Sequence, residues 1–156
     1  MSKKKVTTKK ITNRRASFDY QLGDDLVAGI SLNGRETKAL RLGHGHLRGA
    51  YVIIRADELW LVNATITGFN GVTLTETEQV QDRKLLVKKR ELNSLIEAKK
   101  QGKSLVPMEL LTGGRYIKLR LAVGTGKKRY DKRQVLKARD DKRSTDAALK
   151  SRQRLS

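Results

Sequence analysis

Residues 50–66 read "AYVIIRADELWLVNATI". Two β-branched and aromatic runs, "AYVIIR" and "LWLVNATI", stand either side of "ADE". Such side chains suit a packed, pleated surface, and a short polar break joins neighbouring antiparallel strands. The stretch predicts a β-hairpin. Its nearly continuous apolarity predicts burial on both faces and places it at the centre of the core.

Upstream, from Ser17, apolar and polar residues alternate: Phe18, Tyr20 and Leu22 share one face, Asp19 and Gln21 the other. "LVAGISL" repeats the pattern with Ala28, Ile30 and Leu32, so both stretches predict half-buried strands. After Gly34, "RETKALRLG" predicts a short helix ended by Gly43. Downstream, "TGFNGVTLTETEQVQ" (67–81) is threonine-rich with two glycines and predicts a mobile loop, with a short strand at Val72 and Leu74. A helix is then expected with Asp82 as N-cap, Leu85, Leu92, Leu95, Ile96 and Lys99 on one side, and Gly102 as its stop. "LVPMELL" and "RYIKLRLAV" flank "TGG" as a second hairpin, with Ile117, Leu119, Leu121 and Val123 facing in and Lys118 and Arg120 facing out. Pro107 belongs at an edge or bulge.

Short antiparallel strands with two or three helices predict a mainly β fold, an OB-fold-like antiparallel β-barrel, because closure removes exposed strand edges. The expected organisation is a basic N-terminal arm (1–12), the barrel (13–126) and a basic tail (127–156). In the tail Val135, Leu136, Ala138 and Leu149 are too sparse for a core-facing stripe, so it is expected to be disordered when free.

The 35 Lys and Arg outnumber 16 Asp and Glu, for a net charge of +19. Residues 1–15 hold seven basic residues and no acid, residues 127–156 twelve and four, and the 111 between sixteen and twelve. Fifteen of the nineteen net charges therefore sit in the terminal segments. Basic arms of this kind bind polyanions by releasing condensed counterions. Nucleic acid is favoured over membrane, since "MSKKKVTTKK" has only Val6 and Ile11 nearby as apolar anchors. No apolar h-region or membrane span is evident, so the expected location is the cytoplasm.

Enzyme chemistry finds little support. A Walker loop ending at Gly126 and Lys127 would need glycine at 121 and a hydroxyl at 128, where Leu121 and Lys128 stand. The dinucleotide fingerprint is missing too. There is no cysteine, and His44 and His46 lack further partners for a metal, so neither metal nor cofactor is expected. Phe18, Tyr20, Tyr51 and Trp60 are all placed to be core, leaving Tyr130 in the tail as the aromatic free to stack. Recognition of folded, largely duplex RNA fits better than a single-strand stacking platform. From composition, Glu36 reads as a surface ion pair with Arg35, Lys38 or Arg41.

Six blocks in order carry a family resemblance: "NRRASFDY" (13–20), "AGISLNGRETKALR" (28–41), "ELWLVNATI" (58–66), "DRKLLVKKREL" (82–92), "LVPMEL" (105–110) and "GKKRYDKR" (126–133). From Asn13 to about Arg143 the chain resembles the bacterial SmpB family, the small protein partner of transfer-messenger RNA. The resemblance implies a non-enzymatic adaptor of trans-translation. It would bind the tRNA-like domain of that RNA as a monomer, meet the ribosome at the decoding region, and reach translation factors through the RNA complex. The tail would enter the vacant messenger channel and become helical there. Carried over by residue, the RNA contacts would be Asn13, Arg14, Arg15, Glu36, Lys38 and Arg41. Lys84 and Leu86 in the first turns of the long helix, Lys118 on the late strand, and Gly126, Lys127 and Lys128 would join them. Tyr130, Asp131, Lys132 and Arg133 would serve ribosomal accommodation. Thr65 and Lys88 stand where the family usually has histidine. The alternative is a ribosomal structural protein or general RNA chaperone with the same barrel and arms.

Overall fold

The computed structural model describes residues 10–155. The first nine residues of the expected N-terminal arm lie outside the described residues. In chain order the elements are β1 (Ile11–Thr12), α1 (Ala16–Asp19), β2 (Tyr20–Ile30), α2 (Gly34–Arg41), β3 (Gly45–His46), β4 (Tyr51–Arg55) and β5 (Glu58–Val62). They continue with β6 (Thr65–Ile66), α3 (Glu76–Val80), β7 (Arg83–Leu86), α4 (Lys89–Lys100), β8 (Ser104–Leu111), β9 (Lys118–Gly126) and α5 (Arg129–Leu155). Seven strands form one antiparallel sheet in the order β1-β8-β9-β2-β7-β5-β4, and β3 pairs with β6. β4, at one end of that order, lies against β8 near the other, which curls the sheet toward a barrel.

The 50–66 stretch is a hairpin. β4 and β5 run in register from Tyr51↔Val62 to Arg55↔Glu58. Ala56 and Asp57 turn the chain with φ of 49° and 57°, the positive values that a two-residue primed turn requires. Burial is one-sided, however. Val52, Leu59 and Leu61 point into the core, whereas the outward row pairs a half-buried Ile53 with a half-buried Trp60 and leaves Tyr51 49% exposed. β4 ends the strand order, so its outer face is only partly covered, and Tyr51 is a surface residue instead of the expected core residue. The core lies inside the curl, where Ala28, Leu40, Leu47, Leu119 and Leu121 are fully buried.

Both glycine stops hold. After α2, the Gly43 N–H donates to Leu40 O and His44 N–H to Ala39 O; after α4, Gly102 N–H donates to Lys99 O and Lys103 N–H to Ala98 O. These are complete Schellman pairs, with φ of 85° at Gly43 and 79° at Gly102. Pro107 falls where the β8–β9 register shifts, a bulge that tolerates its missing N–H.

Several expectations need correction. Ile11 is buried against the sheet, so the barrel begins two residues before Asn13. Ala16–Asp19 is a helical turn that takes Phe18 out of the predicted strand, and β2 is one long strand with a register shift between Leu22 and Asp25. Asp82 caps no helix: residues 83–86 form β7, because Leu85 is claimed by Ile30 and Leu59 across the sheet, and α4 starts at Lys89. Within 67–81, Val72 and Leu74 are buried, Phe69 bridges to Val72, and Thr75 caps α3.

Five helices are described against two or three expected; α1 and α3 are short turns and the fifth is the tail. The tail, expected to lack structure when free, is one helix of 27 residues. Residues 129–155 contain no glycine or proline and abound in Lys, Arg, Ala and Gln, strong helix formers that need no buried stripe to favour the state.

Candidate nucleic-acid interface

The first predicted block lies in a cationic groove. β1 packs beside β3, which brings Asn13, Arg14 and Arg15 to His46 and Arg48 around a cleft of about 310 Å³. A second cleft, about 370 Å³, shares Asn13, Arg15 and Arg48 and is bordered by the exposed Tyr51. Asn13 is fixed by its own bonds, its side-chain amide donating to Pro107 O at 2.9 Å. Arg14 and Arg48 are exposed and have no protein partner among the described residues, so their guanidinium groups are free for phosphate. Sequence reasoning missed Arg48, because a single basic residue in a loop carries no signal until the loop folds against β1.

α2 presents Lys38 beside a shallow cleft with Asn33, Gly34 and Arg35. Lys38 is exposed and unpaired among the described residues. Arg41 donates to Arg115 O at 2.8 Å, which ties the end of α2 to the β8–β9 turn. Glu36 is placed differently from expectation. It is 2% exposed, its Oε2 accepts the Asn33 N–H at 3.1 Å, and its Oε1 accepts from Gln81 Nε2 at 2.7 Å and from Arg83 Nε at 3.2 Å. Asn33 Oδ1 in turn accepts the Glu36 N–H, completing a capping box. Glu36 is therefore no surface ion pair: it is an interior anchor of α2, with both carboxylate oxygens engaged within the protein.

Its partner Arg83 is also 2% exposed. The five guanidinium donors find Glu36 and the carbonyls of Ala64, Gln81, Glu78 and Gln79. One cation thereby stitches α2, the chain before β6 and the end of α3. Burial lowers the Arg83 pKa, and the Glu36 carboxylate opposes that shift.

Lys84 and Leu86 belong to β7, not to a helix. Lys118, Gly29 and Leu86 lie in one cross-strand row, where the absent side chain of Gly29 leaves Lys118 and the 56%-exposed Leu86 standing clear. Lys84 Nζ meets Glu58 at 2.7 Å in a half-exposed pair of the weak surface type, open to competition from phosphate. His44 stacks on Phe69 at 4.8 Å between centroids and is thus packed.

At the join, Gly126 ends β9 opposite Tyr20, Lys127 Nζ donates to Ser17 O at 2.8 Å, and Lys128 is exposed and unpaired among the described residues. Tyr130 is 69% exposed and accepts from Gln134 Nε2 one helical turn on. Asp131 and Arg133 are exposed; Lys132 turns back to Asp19 at 3.2 Å. The structure thus gathers the predicted residues into the groove, α2, the outer sheet row and the tail root.

A family model described as SmpB protein matches residues 10–151. The SsrA-binding protein of Oenococcus oeni is 41% identical over 140 residues, covering 89% of this chain and 90% of that protein. That of Protochlamydia amoebophila is 40% identical over 144 residues, covering 92% and 94%. A solved chain described as "tmRNA-SmpB: a journey to the center of the bacterial ribosome" superposes with a TM-score of 0.65 at 32% identity, over 81% of this chain and 94% of that one.

Proposed function

The chain belongs to the SmpB family, and from that premise we propose that it is an RNA-binding adaptor of trans-translation. It binds the tRNA-like domain of transfer-messenger RNA through the groove, the exposed face of α2 and the outer row at Lys118, and carries that RNA to stalled ribosomes. α5 then occupies the vacant messenger channel, with Tyr130, Asp131, Lys132 and Arg133 at the decoding region. The protein performs no chemistry of its own and works in the cytoplasm, where the ribosomes are. Glu36 contributes by fixing α2 and not by touching RNA. The observation that carries this reading is the extent of the family match, which takes in the barrel and most of the tail helix together.

Sequencing the RNA that copurifies with the protein tests it. Transfer-messenger RNA is expected to dominate; an even mixture of structured RNAs would instead favour a ribosomal protein or general chaperone.

A further inference from the structure

The turn between β8 and β9 holds an aromatic ring that the fold does not use. Side chains alternate here: Ile117 and Leu119 are buried in the core, while Tyr116, Lys118 and Arg120 are exposed on the outer face. Tyr116 is 67% exposed, and its hydroxyl has no hydrogen-bond partner among the described residues. One face of the ring is covered, with the Arg115 guanidinium carbon 5.4 Å from its centroid. The turn itself is held from α2, where Arg41 donates to Arg115 O at 2.8 Å. Lys118 follows two residues on and stands clear opposite Gly29. Arg41, Arg115 and Lys118 therefore make the surroundings of the ring cationic.

We infer that Tyr116 is a base-stacking residue: the open face of its ring receives one unpaired nucleobase of the bound RNA, and Arg115 backs the ring from the other side. The inference deepens the adaptor reading above and rests on it. An aromatic ring among cations suits an unstacked base, whose flat face meets the ring while the flanking phosphates meet the charges. An apolar protein segment docked there would have to bury the same charges unpaired, at a cost in free energy. Arg115 stacks on the ring and restricts its rotamers, so less conformational freedom is lost when a base arrives. Bases within a duplex have their faces covered by their neighbours, so the base comes from a loop, a bulge or an end. The exposed cations of the barrel hold RNA by its phosphates, and Tyr116 adds the requirement for an unstacked base at one position.

The chain has one tryptophan, Trp60, so Tyr116→Trp adds a second indole whose emission is read as the difference from the natural protein. Titrating in a transcript of the tRNA-like domain should quench that added emission, saturating with binding. Bound RNA without quenching overturns the inference. Tyr116→Ala should weaken the same complex about 5- to 150-fold, the range of one base–aromatic stack. It should leave the slope against salt as it was, since no charge is lost, and keep the thermal midpoint, since the ring is exposed. Tyr116→Phe should bind as the natural protein does. On a long, fully paired RNA duplex Tyr116→Ala should cost less than about twofold, because no base there is free to stack. Normal binding of the transcript by the alanine variant, or an equal loss on the duplex, overturns the stack. Should the natural protein bind the transcript no better than an unrelated structured RNA, the adaptor reading falls, while quenching measured on that RNA still judges Tyr116.

Discussion

Glu36 and Arg83 form an ion pair at 3.1 Å in which each side chain is 2% exposed. Removing one member of such a pair leaves an uncompensated buried charge and costs roughly 3–5 kcal/mol, a large share of the roughly 5–15 kcal/mol that holds a domain folded. Glu36→Ala should therefore lower the thermal midpoint steeply and lose RNA binding with it. Adding Arg83→Met replaces the stranded cation with apolar bulk and should recover stability, since buried pairs are often replaceable by packed hydrophobes. If Glu36 acts only by placing α2, RNA binding returns with the fold in the double variant. A stable double variant that still fails to bind would show that the carboxylate itself meets RNA.

Glu78 offers a pH test of the neighbouring loop. Its Oε2 accepts the Thr75 N–H at 2.9 Å and its Oε1 meets Arg35 at 2.8 Å. The backbone bond first, then Arg35, hold this carboxyl below the usual glutamate range, against an opposing push from burial. With the folded value depressed, the stabilisation is present above the unfolded carboxylate range and is lost as pH falls through the folded value. NMR titration of the Glu78 carboxyl carbon should show a midpoint below that of a free glutamate, and Arg35→Ala should move it upward. An ordinary midpoint in the natural sequence would remove the case for this cap as the link between α2 and α3.

The sequence declared some of this architecture openly and hid the rest for physical reasons. Gly43 and Gly102 were legible because a Schellman end needs a left-handed residue, and the β8–β9 hairpin because Ile117, Leu119 and Leu121 alternate cleanly with Lys118 and Arg120. β7 was not legible. Its inward positions are Arg83 and Leu85, its outward ones Lys84 and Leu86, so alternation of polarity vanishes once an arginine is buried. The burial of Glu36 had a readable trace, since Asn33 and Glu36 stand at capping-box spacing, but its partner lies 47 residues away. Arg48 left no trace, because its relation to Asn13–Arg15 exists only after β1 packs beside β3.

The tail root separates two activities. Asp131 and Arg133 are exposed, and Lys132 is tied to Asp19 on the barrel, while Arg14, Lys38 and Lys118 lie on the barrel itself. Replacing Asp131, Lys132 and Arg133 together with alanine should spare RNA binding and abolish tagging on stalled ribosomes. Parallel filter-binding and tagging assays on one preparation decide it, and normal tagging by the triple variant would end the two-part mechanism.

Salt dependence tests whether the exposed cations contact phosphate at all. Arg14, Arg48, Lys38, Lys118 and Lys128 are exposed and unpaired among the described residues, and Arg15 is 67% exposed with a 3.6 Å pair that RNA can displace. About six phosphate contacts release enough counterions for log affinity to fall against log salt with a slope of about −5. Lys38→Ala should flatten the slope by about one and weaken binding uniformly across RNA variants, because a phosphate contact carries no base information. Leu86→Ala, which removes no charge, should leave the slope as it was while changing affinity through packing. A near-zero slope for the natural sequence would mean that its cations do not meet the backbone, and a Leu86 variant with an altered slope would misplace the outer row.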